Sequence, residues 1–342
     1  MTERKELIEA FLAARGWSGV QRTPMEGDAS FRRYERLVLG GRRAMLMDAP
    51  PPEESVDSFV AVARHLKSLG FSAPDIFAKD REGGLLLIED LGDDTFTRAL
   101  DRVTPENGVE IGLYELAVDV LIALHATASD RVSPPGLASY DDEKLLEEAF
   151  LLIDWTWPQV FGEPAPDKIL GAYRDAWLET FPIVHRQPQT LVLRDYHVDN
   201  LMTLDGREGI ARCGLLDFQD AVRGPAAYDL MSLLEDARRD IAPGLRDAML
   251  KRYHAAFPDL NREEFETVFA ILAAQRHAKV IGIFTRLCVR DAKPRYLDHI
   301  PRVWGLLEAA LRHPALAPVA GWFDAHVPKD KRGIPPCPAA GK

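Results

Sequence analysis

The hydrophobic pattern changes period once, near Leu91-Gly92, and no other feature restricts the fold so strongly. Before that point apolar residues fall in short runs separated by turn residues. The runs predict a strand over about 31–39, a turn at Gly40-Gly41, and a strand over about 43–48 that the prolines at 50–52 stop. Two more strands, at 75–78 and 85–88, flank DREGG (80–84). Gly-Gly between two apolar runs is a tight-hairpin signal. Val56, Phe59, Val60, Ala63 and Leu66 repeat instead at helical spacing, which predicts a helix over 53–69 capped by Gly70. Leu7, Ile8, Phe11 and Leu12 predict another over 3–14. After Leu91-Gly92 helical periodicity dominates, at about 107–128, 141–153, 166–181, 226–236, 243–256, 261–289 and 298–312. One β-like island interrupts it: TLVLRD (190–195), NLMTL (200–204) and ARCGLLDF (211–218), the last two joined by the turn DGREG (205–209). The expected fold class is α+β. A small antiparallel β-sheet lobe with one embedded helix spans 1–91, a large mainly helical lobe spans 92–326, and a tail rich in Pro, Gly and Lys over 327–342 is expected to be disordered.

The formal net charge of -11 over 342 residues argues against a general nucleic-acid binder, which needs a basic face to displace counterions. The N-terminal MTERKELIEAF is charged, unlike a signal peptide, and no apolar run approaches the roughly 20 residues of a membrane span. Cys213, Cys288 and Cys337 are scattered without metal-like spacing and read as buried, unpartnered thiols of a reduced cytoplasmic protein. The expected partner is a small molecule, with no nucleic acid and no membrane.

Between two apolar runs, residues 193–202 read LRDYHVDNLM. Asp and Asn favour turns, so the loop is either an ordinary turn or a reaction centre. Asp195 and Asn200 stand at the D-x-x-x-x-N spacing of a phosphoryl-transfer loop, in which the Asp accepts from a substrate hydroxyl and the Asn offers oxygen to Mg²⁺. In GLLDFQDA, Asp217 ends an apolar strand, where a carboxylate needs a cation or a hydrogen-bond partner. Asn200 and Asp217 on adjacent hairpin strands would supply the few hard oxygen ligands that Mg²⁺ takes beside phosphates and water. Ligands favour clefts between domains, so the loop is expected to face one.

With His197 two places after Asp195, this loop resembles the H-G-D-x-H-x-x-N motif of the aminoglycoside phosphotransferase superfamily, a protein-kinase-like group. LHA (124–126) and DFQDAVRGPAAYDLMSLL (217–234) are similar to the same branch. Within it, GDASFRRYERL, MDAPP, LRDYHVDNLM, LDFQDAVRGPAAYDL and RDAKPRYLDHIPR together resemble a group of bacterial kinases, from about residue 5 to 325. Those kinases phosphorylate the anomeric hydroxyl of the amino sugars N-acetylmuramate and N-acetylglucosamine in cell-wall recycling. The resemblance implies a bilobal protein-kinase-like fold and a cytoplasmic, ATP- and Mg²⁺-dependent sugar kinase. Asp195 would be catalytic and touch the acceptor, and Asn200 and Asp217 would hold the metal. LLLIEDLGDD (85–94) would be the hinge, where adenine meets backbone groups near Glu89 and Leu91. His197 would hold the loop by hydrogen bonds rather than act as the base.

Two positions depart from that pattern. The residue before the loop Arg, often His in these families, is Leu193. The third strand, AMLMDA, has Met47 about where a Lys should hold the ATP phosphates. Another cation must then do so. Arg32 and Arg33 directly follow the candidate phosphate loop Gly27-Asp28-Ala29-Ser30, and strand alternation lets one of the two face inward. A guanidinium fork suits phosphate oxygens. Glu54 or Asp57 would pair with that Arg, or else simply favour a helix N-terminus.

For the acceptor, FLLIDWTWPQVF (150–161) offers Asp154 and Trp155. An indole stacks on a pyranose and a carboxylate binds sugar hydroxyls; the competing reading is a packed aromatic core. Arg223 and Arg286 are candidates to meet the lactyl carboxylate of N-acetylmuramate. Asp199 reads as a solvated turn residue and Asp229 as a brace for the catalytic loop. Two further functions fit the same residues. An aminoglycoside kinase would suit the acidic balance, and a pseudokinase binding module would suit Met47 and Leu193.

Overall fold

The structure, a computed structural model, describes residues 2–25, 32–52, 54–102, 108–128 and 131–337. Gly27, Ala29 and Ser30 of the candidate phosphate loop lie outside these residues. The strands are β1 (Gln21–Pro24), β2 (Arg33–Leu39), β3 (Arg42–Asp48), β4 (Ile76–Asp80), β5 (Leu85–Ile88), β6 (Gln189–Val192), β7 (Leu201–Thr203), β8 (Cys213–Leu215) and β9 (Val222–Pro225). The helices in order are α1 (Thr2–Ala13), α2 (Val56–Ser68), α3 (Phe96–Asp101), α4 (Val109–His125), α5 (Asp142–Leu151), α6 (Trp157–Phe161), α7 (Asp167–Val184), α8 (Ala227–Leu234), α9 (Leu245–Ala256), α10 (Arg262–Val289), α11 (Ile300–Ala310) and α12 (Ala317–His326).

The chain divides into two compact units, residues 1–120 with 198–221 and residues 121–197 with 222–342. The first unit thus runs past the boundary expected at 91 and includes the hairpin β7–β8. Backbone pairing explains this: the Leu215 N–H donates to the Ser72 carbonyl, and the Thr203 N–H to that of Asp94, each at 2.8 Å.

The first unit is built on an antiparallel sheet of order β1-β2-β3-β5-β4. Gly40 and Gly41 both take positive φ, 54° and 81°, and close the two-residue β2–β3 turn opposite the pair Leu39 and Arg42. Along the sheet, Leu37, Ala44, Leu46, Leu85 and Leu87 share one face and pack against Ile8, Phe11, Leu12 and Trp17. The period of two turns Met47 to the other face, where it is fully buried. Helix α2 begins at Ser55, whose side chain accepts from the Asp57 N–H, and ends before Gly70 at φ 90°. β1 was not foreseen: QRTP is polar and ends in Pro, as an edge strand can.

In the second unit, α10 is the central element and packs against α5, α8 and α11. By length and composition it could cross a membrane, but 83% of its apolar stretch is buried inside the protein, as in a core helix. That corrects the expectation that no apolar run approaches such a length. Between α5 and α6 the chain makes a π-helical turn, Leu152–Thr156. Gly282 of α10 lies against it, and a Cβ there would overlap the Leu151 carbonyl and the Leu152 nitrogen. Strand β6 pairs with β9, and Leu191 lies opposite Arg223. α3, α12, β9 and the π turn were not foreseen. Two further expectations are corrected. Cys288 and Cys337 are joined in a disulfide rather than lying as separate thiols, and Cys213 alone is free and buried among the described cysteines. Residues 327–337 are ordered rather than loose, because Arg332 ties them to Glu308 (3.1 Å) and Asp324 (2.9 Å).

Gly171 and Gly282, both within helices, should respond oppositely to alanine. Gly282→Ala, against a backbone that cannot step aside, should lower the unfolding free energy by roughly 2–3 kcal/mol. Gly171→Ala has open space around its Cβ and should raise it by about 0.5–1 kcal/mol. Urea unfolding of both variants checks this; equal effects would mean that the α10 contact is not tight.

Candidate active site

The loop after β6 is bent by force. Arg194 takes φ 69°, a left-handed conformation that costs a residue with a side chain. Asp229, on α8 and 1% exposed, holds the bend by accepting the N–H of Leu193 at 2.7 Å and of Arg194 at 2.9 Å. Asp229 therefore braces the loop, as expected from the sequence. Burial pushes its carboxyl up to about 7, against the pull of those two N–H groups.

The Arg194 side chain is anchored separately. Its guanidinium pairs with Glu148 of α5 and lies 5.9 Å from the centre of the Tyr140 ring. Glu148 is 4% exposed and also meets Lys279 at 3.1 Å, Gln275 at 3.2 Å and the Tyr140 hydroxyl. Burial works against its charge, yet Lys279 and Arg194 hold its carboxyl down at about 2. No local motif announces this cage. The available signal was charge at core positions of an apolar helix, at Arg276, His277 and Lys279 of α10.

Asp195 is half-buried and follows the bend directly. Burial alone would raise its pKa, but Lys279, Arg194 and Arg276 outweigh it and hold the carboxyl below the usual range. Asp195 is thus an ionised hydrogen-bond acceptor and a weak base. His197 is buried, and desolvation holds its pKa down despite Asp236 and Asp195, so it stays neutral.

In the first unit, the register Leu201 opposite Leu215 sets Asn200 and Asp217 at the same open end of the β7–β8 hairpin. The Asn200 amide lies 3.5 Å from the Asp217 carboxylate, and the Gln219 amide donates to that carboxylate at 2.8 Å. Asp217 takes φ 57° and is exposed, while Phe218 beside it is buried against Phe59 of α2, ring centres 5.0 Å apart. The side chain of Phe218 anchors the strand end and the turn presents Asp217. An exposed carboxylate beside a partly exposed amide fits an ion that keeps phosphate and water ligands.

Of the two candidate arginines, Arg33 is exposed, opposite Asp48, and Arg32 is turned in. Arg32 pairs with Glu54 at 3.6 Å and Asp220 at 3.3 Å. Burial opposes its charge, and Tyr34, Asp220, Glu54 and Asp217 more than restore it. Asp57 instead serves Arg81 at 2.6 Å and Lys79 at 3.4 Å. At the hinge, the Glu89 N–H is spent on the Asp75 carbonyl at 2.8 Å, and its side chain on Arg207 at 2.7 Å. Among the described residues the Glu89 carbonyl and the Leu91 N–H take no partner. A cavity of about 300 Å³ beside them is lined by Asp90, Asp93, Asp94 and Asp205, a surround unsuited to the faces of a purine. The hinge reading therefore stands on the backbone groups.

The remaining candidates are dispersed. Asp154 and Trp155 lie on the π-helical turn, where burial raises the Asp154 carboxyl. Trp157 is a core residue stacked with Phe161 and Trp322. Arg223 is exposed on β9, and its backbone pairs with Ala138 and Tyr140. Arg286 is half-buried on α10. Asp199 is not simply solvated; it accepts from the Thr97 hydroxyl of α3.

Comparison with known proteins bears on the family and the fold. A family model described as the phosphotransferase enzyme family matches residues 21–265. The chain is 37% identical to an N-acetylmuramate/N-acetylglucosamine kinase of Caulobacter vibrioides, over 97% of this chain and 99% of that protein. It is 39% identical to a protein of the same name from Pseudomonas aeruginosa, over 91% of this chain and 90% of that one. Among solved structures, an ADP-bound aminoglycoside phosphotransferase, APH(2'')-Ib, aligns with TM-score 0.58 at 14% identity, over 90% of this chain and 98% of that one. A choline/ethanolamine kinase family protein of Mesorhizobium loti aligns with TM-score 0.59 at 14% identity, over 94% of this chain and 99% of that one. The fold is kinase-like.

Glu148→Gln would leave two buried cations short of their counter-charge and should cost about 3 kcal/mol at pH 7. Because Glu148 is depressed from 4.5 to about 2, its contribution is complete above pH 4.5 and is lost as pH falls through 2. The stability gap between wild type and variant should therefore close over that acid range. Denaturant titrations at several pH values check it; a gap that stays constant would remove Glu148 from this role.

Proposed function

The chain belongs to the phosphotransferase enzyme family, and we propose that it transfers the γ-phosphoryl group of ATP to the anomeric hydroxyl of N-acetylmuramate and N-acetylglucosamine in cell-wall recycling. The observation that carries this reading is Asp195. It is a carboxylate held ionised by nearby cations, on a loop fixed by Asp229, five residues before Asn200. Such a group accepts the hydrogen bond of an acceptor hydroxyl, aims its oxygen, and takes the proton late. A loose transition state needs no strong base, so a depressed pKa is no handicap.

Asn200 and Asp217 are the proposed ligands for Mg²⁺, and the closeness of their side chains at one end of the hairpin supports this. When bound, the ion would neutralise charge on the phosphate oxygens. Arg32, steadied by Glu54, takes the part of the Lys missing at Met47. The Glu89 carbonyl and Leu91 N–H are left for adenine. Gly27, Ala29 and Ser30 complete the phosphate contacts in this reading. Asp154 and Trp155 are the proposed sugar contacts, on the grounds that a raised carboxyl and an indole edge share one turn. The enzyme acts in the cytoplasm, where ATP and recovered sugars meet.

ADP release should be observed with both amino sugars and not with kanamycin-like compounds, and NMR should find the phosphate on the anomeric oxygen. Asp195→Asn should lower kcat by about 10²–10⁴-fold while Mg²⁺-ATP still raises the thermal midpoint. Asp217→Asn should abolish that Mg²⁺-dependent shift, and Arg32→Met should weaken it. Near-normal turnover by Asp195→Asn would refute the assigned roles. A thermal shift with Mg²⁺-ATP but no turnover of any acceptor would indicate a pseudokinase.

A further inference from the structure

Helix α10 carries a group of polar and charged residues into the core beside the catalytic loop. Gln275 and Lys279 reach Glu148, and His277 reaches Glu235 at 2.9 Å. Arg276 sits between them and is 5% exposed. Among the described residues it has no ion-pair partner, and its Nη1 is buried without a hydrogen bond. A guanidinium held that way is expensive unless something arrives to meet it.

Its acidic neighbours make no ion pair with it. Glu148 already serves Arg194 and Lys279. Asp229 is committed to two backbone N–H groups and pulled toward its neutral form. Asp195 is close enough for Arg276 to act on its ionisation, yet the two form no ion pair. Arg194 and Lys279 are thus matched by Glu148, while Arg276 acts on the ionisation of Asp195 and Asp229 without an ion pair to either, next to the carboxylate proposed to aim the acceptor.

We propose that Arg276 binds the carboxylate of an acidic substituent on the acceptor, and so sets the preference for an acid-bearing amino sugar over a neutral one. The inference rests on the acceptor reading above and adds the residue that discriminates within it. A guanidinium presents paired N–H donors to a carboxylate, and a charge-assisted bond made away from water is strong. Arg276 is proposed as the discriminating contact for the lactyl group, for which the sequence offered Arg223, exposed on β9, and Arg286.

The test is steady-state kinetics of wild type, Arg276→Met and Arg276→Lys at saturating Mg²⁺-ATP, with N-acetylmuramate and N-acetylglucosamine. Arg276→Met should lower kcat/KM about 30-fold for N-acetylmuramate, mostly through KM, and leave N-acetylglucosamine within about threefold. Arg276→Lys should recover part of the loss. Equal losses for both sugars would overturn the proposal, since Arg276 would then act through Asp195. Unchanged kinetics with both would overturn it too. Should Arg276→Met fail to fold, wild type is compared on N-acetylmuramate and its lactyl amide. A matching drop for the amide supports the proposal, and equal turnover refutes it. Failure of wild type to phosphorylate either sugar would bring down the acceptor reading and this inference together, a result distinct from unselective losses.

Discussion

Two backbone N–H groups at Leu193 and Arg194 point at one buried carboxylate, Asp229, and the rest of the reaction loop follows from that clamp. The strained φ of Arg194 persists because the clamp over-determines it. The bend drives the Arg194 side chain down to Glu148 and leaves Asp195 as the next residue. Glu148 in turn joins the loop to α5, α10 and Tyr140, so the position of Asp195 is tied to the long central helix of its unit. The cost of burying these charges is offset only while every partner is present. The result is a fixed carboxylate in a field of cations.

In the proposed reaction that arrangement would not depend on a basic Asp. Lys279 and Arg194, the cations that act most strongly on Asp195, would also favour the approach of anionic groups and stabilise negative charge as it spreads in the transition state. Raising its pKa by removing them would improve proton affinity while sacrificing that stabilisation. For a loose phosphoryl transfer, positioning and charge compensation outweigh proton abstraction.

Much of this was legible in the sequence where one local rule decides the outcome. Gly40-Gly41 has the glycines that a two-residue turn requires, and the β2–β3 hairpin forms there. The spacing of Asn200 and Asp217 around a hairpin predicts that they share an end, and the register of β7 with β8 brings them together. Alternation predicts one inward Arg, and Arg32 is the one. What stayed hidden is non-local. Glu148 and Arg194 are 46 residues apart, and the pairing of Cys288 with Cys337 spans 49. β9, four residues of polar and small character, is recruited by β6 rather than by its own propensity. Asp199 looked solvated because nothing in its neighbourhood announces Thr97, 102 residues away.

In the reading proposed above, a displaced cation lets a departure from the family pattern leave the chemistry in place. Met47 is fully buried on β3 opposite Tyr34 of β2, so the strand position itself has become core. In the proposed role Arg32 brings a longer, forked cation from the neighbouring strand's start. Glu54, just ahead of α2, supplies the acidic partner that would otherwise meet a Lys. A guanidinium has a fixed charge and several donors, so it can hold Glu54 and Asp220 at once and still offer N–H groups to phosphate. A Lys in place of Met47 would have to desolvate a compact, strongly hydrated ammonium beside Leu86, at a fully buried position of the sheet. Moving the charge to the sheet's rim and filling the vacated position with Met avoids that cost while keeping a cation beside the loop that precedes β2.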